Sequence, residues 1–304
     1  IFDDIEFFAR YGFNKCVVAD TEIIDAQTGR LVRVGDLASG AVTIEHTVSC
    51  DTKQLRLVPR AVTAVVENGI KPVYRLTTQL GRQIEATANH PFYTFDGWRM
   101  LGELRPGEQI AVPRVIPVEG QREWPDHAAI VLGHLLAEGN LCHPHGAYYY
   151  TTDDEQLRDY VANLEQFDNT AASVSRHKSA YSVYSRRIDR KNEAGVVTWL
   201  RQLGIWGKDS HSKTIPDEVF ELTNALIGLL ISRMWEGDGH INEHGRSLFY
   251  ATASERLVRQ LQHLLLRLGI ISRLRTVKFP YRDGRIGYQL FVTGYKNIKT
   301  FMET

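Results

Sequence analysis

Two short apolar runs end alike, in an acid and then a glycine, with Glu138 of the first and Asp238 of the second 100 residues apart. The first reads Leu132-Gly133-His134-Leu135-Leu136-Ala137-Glu138-Gly139, the second Ile231-Ser232-Arg233-Met234-Trp235-Glu236-Gly237-Asp238-Gly239. The segments beyond the two acids also repeat at the same offset. Residues 148–152 (YYYTT) align with 248–252 (LFYAT), and Leu157, Val161 and Leu164 align with Leu257, Leu261 and Leu264, an apolar i, i+4, i+7 helix face. A duplicated helix–strand–helix unit packs most simply about a pseudo-two-fold axis, which brings the two acids together at its centre. A single helix-terminal acid is ordinarily a solvated end, and the duplication sets this pair apart. Two carboxylates at a symmetric interface suit a divalent metal and a substrate with two equivalent halves, such as a DNA duplex.

The bulk composition constrains less. A chain of 304 residues is expected to hold about two domains. Lys plus Arg equals Asp plus Glu at 36 each, and residues 1–125 hold 14 basic against 16 acidic, so any basic surface is local. Cys16, Cys50 and Cys142 form no CxxC pair, which argues against a disulfide framework or thiolate zinc site and fits a reducing cytoplasm. No apolar run approaches the roughly 18–20 residues of a membrane span, and no signal peptide is visible. The start at Ile1 rather than Met leads us to expect a piece of a longer protein.

Along the chain, residues 1–15 read as an amphipathic helix broken at Gly12. From Cys16 to about Pro113 come short β-branched runs between glycine turns: Leu31–Val34, Ala61–Val66, Val73–Thr77, Gln83–Thr87 and Gln109–Val112. That spacing predicts an all-β domain. Pro91 cannot continue a ladder and is expected to set a turn, with a tighter one at Asp96-Gly97. Residues 114–126 read as a linker. From about residue 127 helices alternate with strands.

Taken singly, Cys16 reads as inert core and His90 as a structural residue near a turn. Together they resemble an intein. Cys16-Val-Val-Ala-Asp20-Thr21-Glu22-Ile23 looks like the first splicing block, and residues 81–92 (GRQIEATANHPF) look like the second, with its Thr87-x-x-His90 core. Gly97-Trp98, Leu104–Glu108 and Ile110–Arg114 continue the family order. The resemblance implies a Hint β-fold. It also implies attack of the Cys16 thiol on the Lys15 carbonyl, with His90 contacting the scissile nitrogen and Thr87 holding the tetrahedral intermediate; Asn89 is a further candidate. An amide is a poor electrophile, so the scissile nitrogen and the oxyanion must both be assisted. Residues 8–15 (FARYGFNK) resemble the bacterial DNA polymerase III alpha subunit, which implies that 1–15 is host sequence.

The paired acid–glycine runs resemble LAGLIDADG homing endonucleases, which often sit inside inteins. That resemblance implies Mg²⁺ at Glu138 and Asp238, and oxygen ligands suit this ion. Lys213-Thr-Ile-Pro216 resembles a further family motif, whose lysine reaches the cleavage site to stabilise phosphate charge or assist proton transfer. Its counterpart in the second half is left open among Lys278, Lys296 and Lys299. Gly133 and Ala137, one turn apart, allow close helix crossing; Arg233, at the place of Gly133, departs from the pattern and puts the crossing and the activity in question. Two basic stretches fit DNA-facing β-ribbons. One holds Arg176, Lys178, Arg186, Arg187, Arg190 and Lys191, the other Arg273, Arg275, Lys278, Arg282 and Arg285.

The expectation is therefore a multidomain chain. Host-like residues 1–15 precede the N-terminal part of an all-β Hint-type domain over 16–125. A duplicated α/β LAGLIDADG domain comes next, over 126–304, αββαββα repeated about a pseudo-two-fold axis. The expected partner is double-stranded DNA, with no membrane and a monomeric state. The chain stops at Thr304 before the His-Asn block that ends inteins, so splicing is expected to need a separate C-terminal intein or polymerase segment. The alternatives are an endonuclease-like module that binds DNA without cutting, and a Cys–His hydrolase acting on outside substrates.

Overall fold

Gly97, at φ +94°, takes the left-handed turn position that joins β7 (Pro91–Thr94) to β8 (Gly97–Met100). Pro91 starts this hairpin opposite Met100 instead of ending a run, because the first residue of a strand can lack a donor. The computed structural model describes residues 15–241, 248–279 and 284–304 and divides after Glu119 into two compact units. Residues 1–14, most of the expected N-terminal helix, and Arg282 lie outside the described residues.

The first unit is built of antiparallel hairpins. β1 (Glu22–Ile24) pairs with β2 (Leu31–Arg33), β3 (His46–Asp51) with β4 (Arg56–Ala61), and β5 (Tyr74–Thr77) with β6 (Gln83–Ala86). A short helix α1 (Val34–Ala38) follows β2. The expected strand over 61–66 ends at Ala61, and that over 109–112 is reduced to one bridge between Thr94 and Ile110. Both runs are apolar enough for strands, but among the described residues each makes only a short backbone contact, Val62 N–H to Glu45 O and Ala111 N–H to Tyr93 O.

The second unit begins earlier than the expected linker allows. The Arg122 N–H donates to the Glu221 carbonyl at 2.9 Å, its guanidinium holds the Glu221 carboxylate, and a Cβ at Gly120 would overlap the carbonyl oxygens of Glu221 and Leu222. Gly120 and Arg122 are therefore tied to the second unit, and the boundary moves from 125 to 119. The elements run α2 (Asp126–Glu138), β9 (Gly139–Asn140), β10 (Tyr148–Thr151), α3 (Asp154–Leu164), β11 (Thr170–His177), β12 (Ala180–Arg187) and α4 (Gly195–Gln202). They repeat as α5 (Asn224–Asp238), β13 (Gly239–Ile241), β14 (Leu248–Thr252), α6 (Glu255–Arg267), β15 (Ser272–Lys278), β16 (Ile286–Val292) and α7 (Tyr295–Glu303). The two four-stranded sheets have matching orders, β9-β10-β12-β11 and β13-β14-β16-β15. Ala128 to Ala137 of α2 are all buried, as expected for a helix that is apolar on every side. None of the described helices is long and apolar enough to cross a membrane.

The repeat carries a one-residue shift. Tyr149 faces Gly139 in the first sheet, whereas Tyr250 faces Gly239 in the second. The N-caps shift likewise: the Asp153 carboxylate accepts from Glu155 and Gln156 N–H, and Ser254 Oγ accepts from Leu257 N–H. The equivalent residues beyond the acids are therefore Tyr149 and Tyr250, Tyr160 and Leu261, and Leu164 and Leu265, not the pairs at an offset of 100. The second connection between paired strands is one residue longer.

Candidate functional site

α2 and α5 cross at glycine. A Cβ at Gly133 would lie 2.6 Å from the Leu230 carbonyl oxygen and 2.7 Å from Arg233 Cβ, and one at Gly237 would lie 2.7 Å from Ala137 Cβ and 3.2 Å from Glu138 Cγ. This corrects the doubt raised by Arg233. The symmetric position needs one glycine, not two, because Gly133 supplies the space that Arg233 does not. The crossing puts the Glu138 end of α2 against the α5 end that carries Asp238. Tyr250 Oη donates to Asp238 Oδ2 at 3.3 Å. Burial, and then the negative charge of Glu138, push the Asp238 carboxyl up to about 6, against the pull of Lys213. Loss of hydration also raises Glu138, and Lys213 again opposes it.

Lys213 is 6% exposed, so it is no surface lysine. Its ammonium donates to the carbonyls of Leu135, Leu136 and Ala137 at 2.9, 3.1 and 2.9 Å, filling the open C-terminal end of α2. Burial lowers it to about 8 although Asp238 and Glu138 both favour its charge. Its segment is clamped to α6: Ser254 Oγ donates to the Lys213 carbonyl at 2.7 Å, and the Gln260 amide accepts from Ile215 N–H and donates to Ile215 O. None of the three lysines considered as its counterpart occupies such a place. Lys278, Lys296 and Lys299 are exposed, and Lys299 pairs with Glu303. At the end of α5 a neutral amide stands instead, with Gln156 Nε2 donating to the Glu236 carbonyl at 2.9 Å.

The Arg233 side chain turns toward α3. Its Nε donates to Asp159 Oδ2 at 2.8 Å, and His134 Nε2 lies 2.9 Å from the same oxygen. Burial raises the Asp159 carboxyl, but hydrogen bonds from Arg233 and His134 outweigh it and hold the group below its usual range. This triad joins α2, α3 and α5. We expect Arg233→Ala to destabilise the protein by about 1–3 kcal/mol in urea unfolding, because it strands a half-buried carboxylate. A neutral result would mean that the triad adds nothing.

The two sheets sort the predicted DNA contacts by face. Side chains alternate along a strand, and Tyr149, Val183 and Val174 share the helix side of the first sheet. Tyr148, Tyr150, Ser182, Tyr184 and Arg186 then line its open side, with Tyr148 and Tyr150 stacked at 6.1 Å. In the second sheet Tyr250, Leu290 and Leu274 take the helix side, so Phe249, Arg273, Arg275, Gln289 and Phe291 take the open one. Arg186, Arg273 and Arg275 thus share open faces. Arg176, Arg187 and Lys278 fall on the helix side, Arg176 over the Tyr181 ring. Lys178 sits at the β11–β12 turn, while Arg190, Lys191 and Arg285 are exposed outside the strands. Tyr148 and Tyr150 carry no charge and so escape a reading by basic residues; in a strand of three tyrosines the sequence alone does not say which one is buried.

In the first unit the Lys15–Cys16 bond is held by residues from β6 and its following turn. The Cys16 N–H, at the bond expected to break, donates to Thr87 Oγ1 at 3.0 Å, and Thr87 N–H donates to the Cys16 carbonyl at 3.0 Å. Thr87 Oγ1 in turn donates to Asn89 Oδ1 at 2.7 Å. The expected assignment is thereby changed: the side chain bonded to the Cys16 nitrogen is that of Thr87, since β6 runs antiparallel to the Cys16 segment and points Thr87 at it. Among the described residues the buried His90 Nδ1 makes no hydrogen bond; burial followed by the Lys15 charge lowers the ring's basicity, against a Cys16 backbone contact that raises it. Asn68, which the motifs did not include, donates from Nδ2 to Cys16 Sγ at 3.3 Å.

A family model described as a LAGLIDADG-like domain matches residues 225–304. The chain is 36% identical over 299 residues to a replicative DNA helicase DnaB of Rhodothermus marinus, which covers 95% of this chain and 31% of that protein. Among solved structures it is similar to a DnaB intein from Synechocystis sp. PCC 6803, at 38% identity and a TM-score of 0.30, over 33% of this chain and 70% of that one. It is also similar to the homing endonuclease I-DmoI in complex with DNA and Mn, at 12% identity and a TM-score of 0.44, over 59% of this chain and 95% of that one. The chain spans about a third of the length of the curated relatives it matches. Those relatives are helicases, which corrects the expected polymerase III alpha host; a short amphipathic segment holds too few constraints to identify a host protein. With splicing-block motifs in order, acid-ended helices duplicated and crossing at glycine, and these relatives, the chain belongs to the inteins that carry a LAGLIDADG endonuclease domain.

Proposed function

We propose that the first unit activates the Lys15–Cys16 bond for an N-to-S acyl shift and that the second cleaves double-stranded DNA with a divalent metal at Glu138 and Asp238. As in the relatives, the host would be a DnaB helicase. One observation carries the nuclease reading: two acid-ended helices cross so closely that Gly237 abuts Glu138, with a buried ammonium interacting with both acids. The donor set fits a hard ion such as Mg²⁺, since the Glu138 charge raises Asp238 and a cation between the two carboxylates would relieve it. Bound there, the ion would supply Lewis acidity for phosphodiester hydrolysis.

The chain's own residues prepare the site. Tyr250 fixes one Asp238 oxygen. All three Lys213 N–H groups point at α2 carbonyls, so its contribution is a fixed positive field and a rigid α2 end, not delivery of a proton. Arg186, Arg273 and Arg275, with the tyrosines of the first sheet, give the DNA face its charge and hydrogen-bonding groups. The reading as a binding-only module loses its chief support, because Arg233 leaves the crossing intact. In the first unit, Thr87 orients the scissile N–H, and His90, biased to its neutral form, lies against the Cys16 backbone.

Two substitutions test the halves separately. We expect Glu138→Gln to abolish Mg²⁺-dependent cutting of a duplex carrying the intein-less host junction while gel-shift binding persists; undiminished cutting would sink the metal assignment. Cys16→Ala should stop thiol-induced release of residues 1–15, and continued release would refute the acyl shift.

A further inference from the structure

Asn68 lies in an irregular segment after β4, and its neighbours are placed against hydrophobic expectation. Val66 is 79% exposed and Ile70 fully so, while the polar Asn68 between them is turned inward. Gly69, at φ +66°, makes the bend just after it. Core packing would bury the valine and isoleucine and leave the amide in water. What Asn68 meets on the inside is the Cys16 sulfur, with Nδ2 at 3.3 Å across 52 residues of sequence.

We infer that Asn68 is a catalytic residue of the acyl shift, its amide N–H donating to Cys16 Sγ so as to hold the sulfur in place and stabilise its thiolate. This rests on the acyl-shift reading above. In the step, a bond forms between Cys16 Sγ and the Lys15 carbonyl carbon, and the Lys15–Cys16 C–N bond breaks. The thiol proton ends on the Cys16 nitrogen, so nothing is oxidised or reduced. The nucleophile is the thiolate, and a hydrogen bond donated to an anion is stronger than one donated to the neutral thiol. Thr87 holds the departing nitrogen from one side and Asn68 the attacking sulfur from another, so the two ends of the rearranging unit are fixed independently.

The test uses the full chain with dithiothreitol, which attacks the thioester and releases residues 1–15, followed by mass spectrometry. We expect Asn68→Ala to slow release about ten- to a hundredfold. The isosteric Asn68→Asp should be slower still, because a carboxylate cannot donate to sulfur and repels the thiolate. In a second arm, without acyl transfer, iodoacetamide alkylation of Cys16 in a Cys50→Ser, Cys142→Ser background should fall in the same order. Release and alkylation by Asn68→Ala within twofold of the parent would overturn the assignment, as would Asn68→Asp outpacing Asn68→Ala. If the parent releases nothing, or Cys16→Ala still does, the acyl-shift reading fails instead, and the alkylation arm still reports on the Asn68–Cys16 contact.

Discussion

Asp238→Asn is expected to raise thermal stability and remove metal-dependent DNA cleavage in the same variant. The native carboxyl titrates at about 6 against an ordinary 3.8, so between those values the folded protein holds a proton that the unfolded chain has released. Stability therefore falls as pH rises through this window, and the loss persists above it. Asparagine cannot ionise. It should recover about 1–3 kcal/mol at pH 7, or roughly 3–10 °C in melting temperature for a unit of this size. The measurement needs chelated metal, because a bound cation would offset the same repulsion. Melting profiles of parent and variant should converge near pH 4 and separate by pH 7; equal profiles throughout would mean that Asp238 is not strained by its surroundings. The gain comes from the group that the nuclease reading needs charged, so stability and cleavage should move in opposite directions.

A side chain at Gly133 should have the opposite effect on stability. Gly133→Val places its first carbon 2.6 Å from the Leu230 carbonyl oxygen, a backbone atom that cannot swing aside, and 2.7 Å from Arg233 Cβ. α2 is buried over Ala128–Ala137, so the strain has no exposed face on which to relax. We expect a loss of about 3 kcal/mol in urea unfolding, with cleavage lost even where the protein remains folded, because the helix ends that carry Glu138 and Asp238 separate. Wild-type stability in this variant would show that the helices cross more loosely than described.

The acid pair was legible because a duplication announces itself without knowledge of contacts: two runs with the same ending 100 residues apart need a common explanation. The finer equivalences were not. One added residue in the second strand connection shifts every later pair, and LFYAT looks enough like YYYTT to conceal it. Arg233 misled because sequence comparison asks for a glycine in each half, whereas a crossing needs space on one side only. The basic residues were read as stretches although strands alternate, so Arg176 and Arg186 were grouped across opposite faces of one sheet. Pro91 marks the turn after β6, but its place as the first residue of β7 has no sign in the sequence. Asn68 had no local mark, since its partner is remote in sequence and only the fold joins them.

The caps on the two central helices tie the two halves together. α2, in the first half, is finished by a lysine whose segment is clamped to α6 of the second half. α5, in the second half, is finished by Gln156 from α3 of the first. The first half therefore supplies both caps, but the lysine that finishes α2 is held in place only against α6 of the second. Exchange of one half between related proteins would remove the support of one cap and the donor of the other, so the two sequences are bound to change together even where no residue touches DNA.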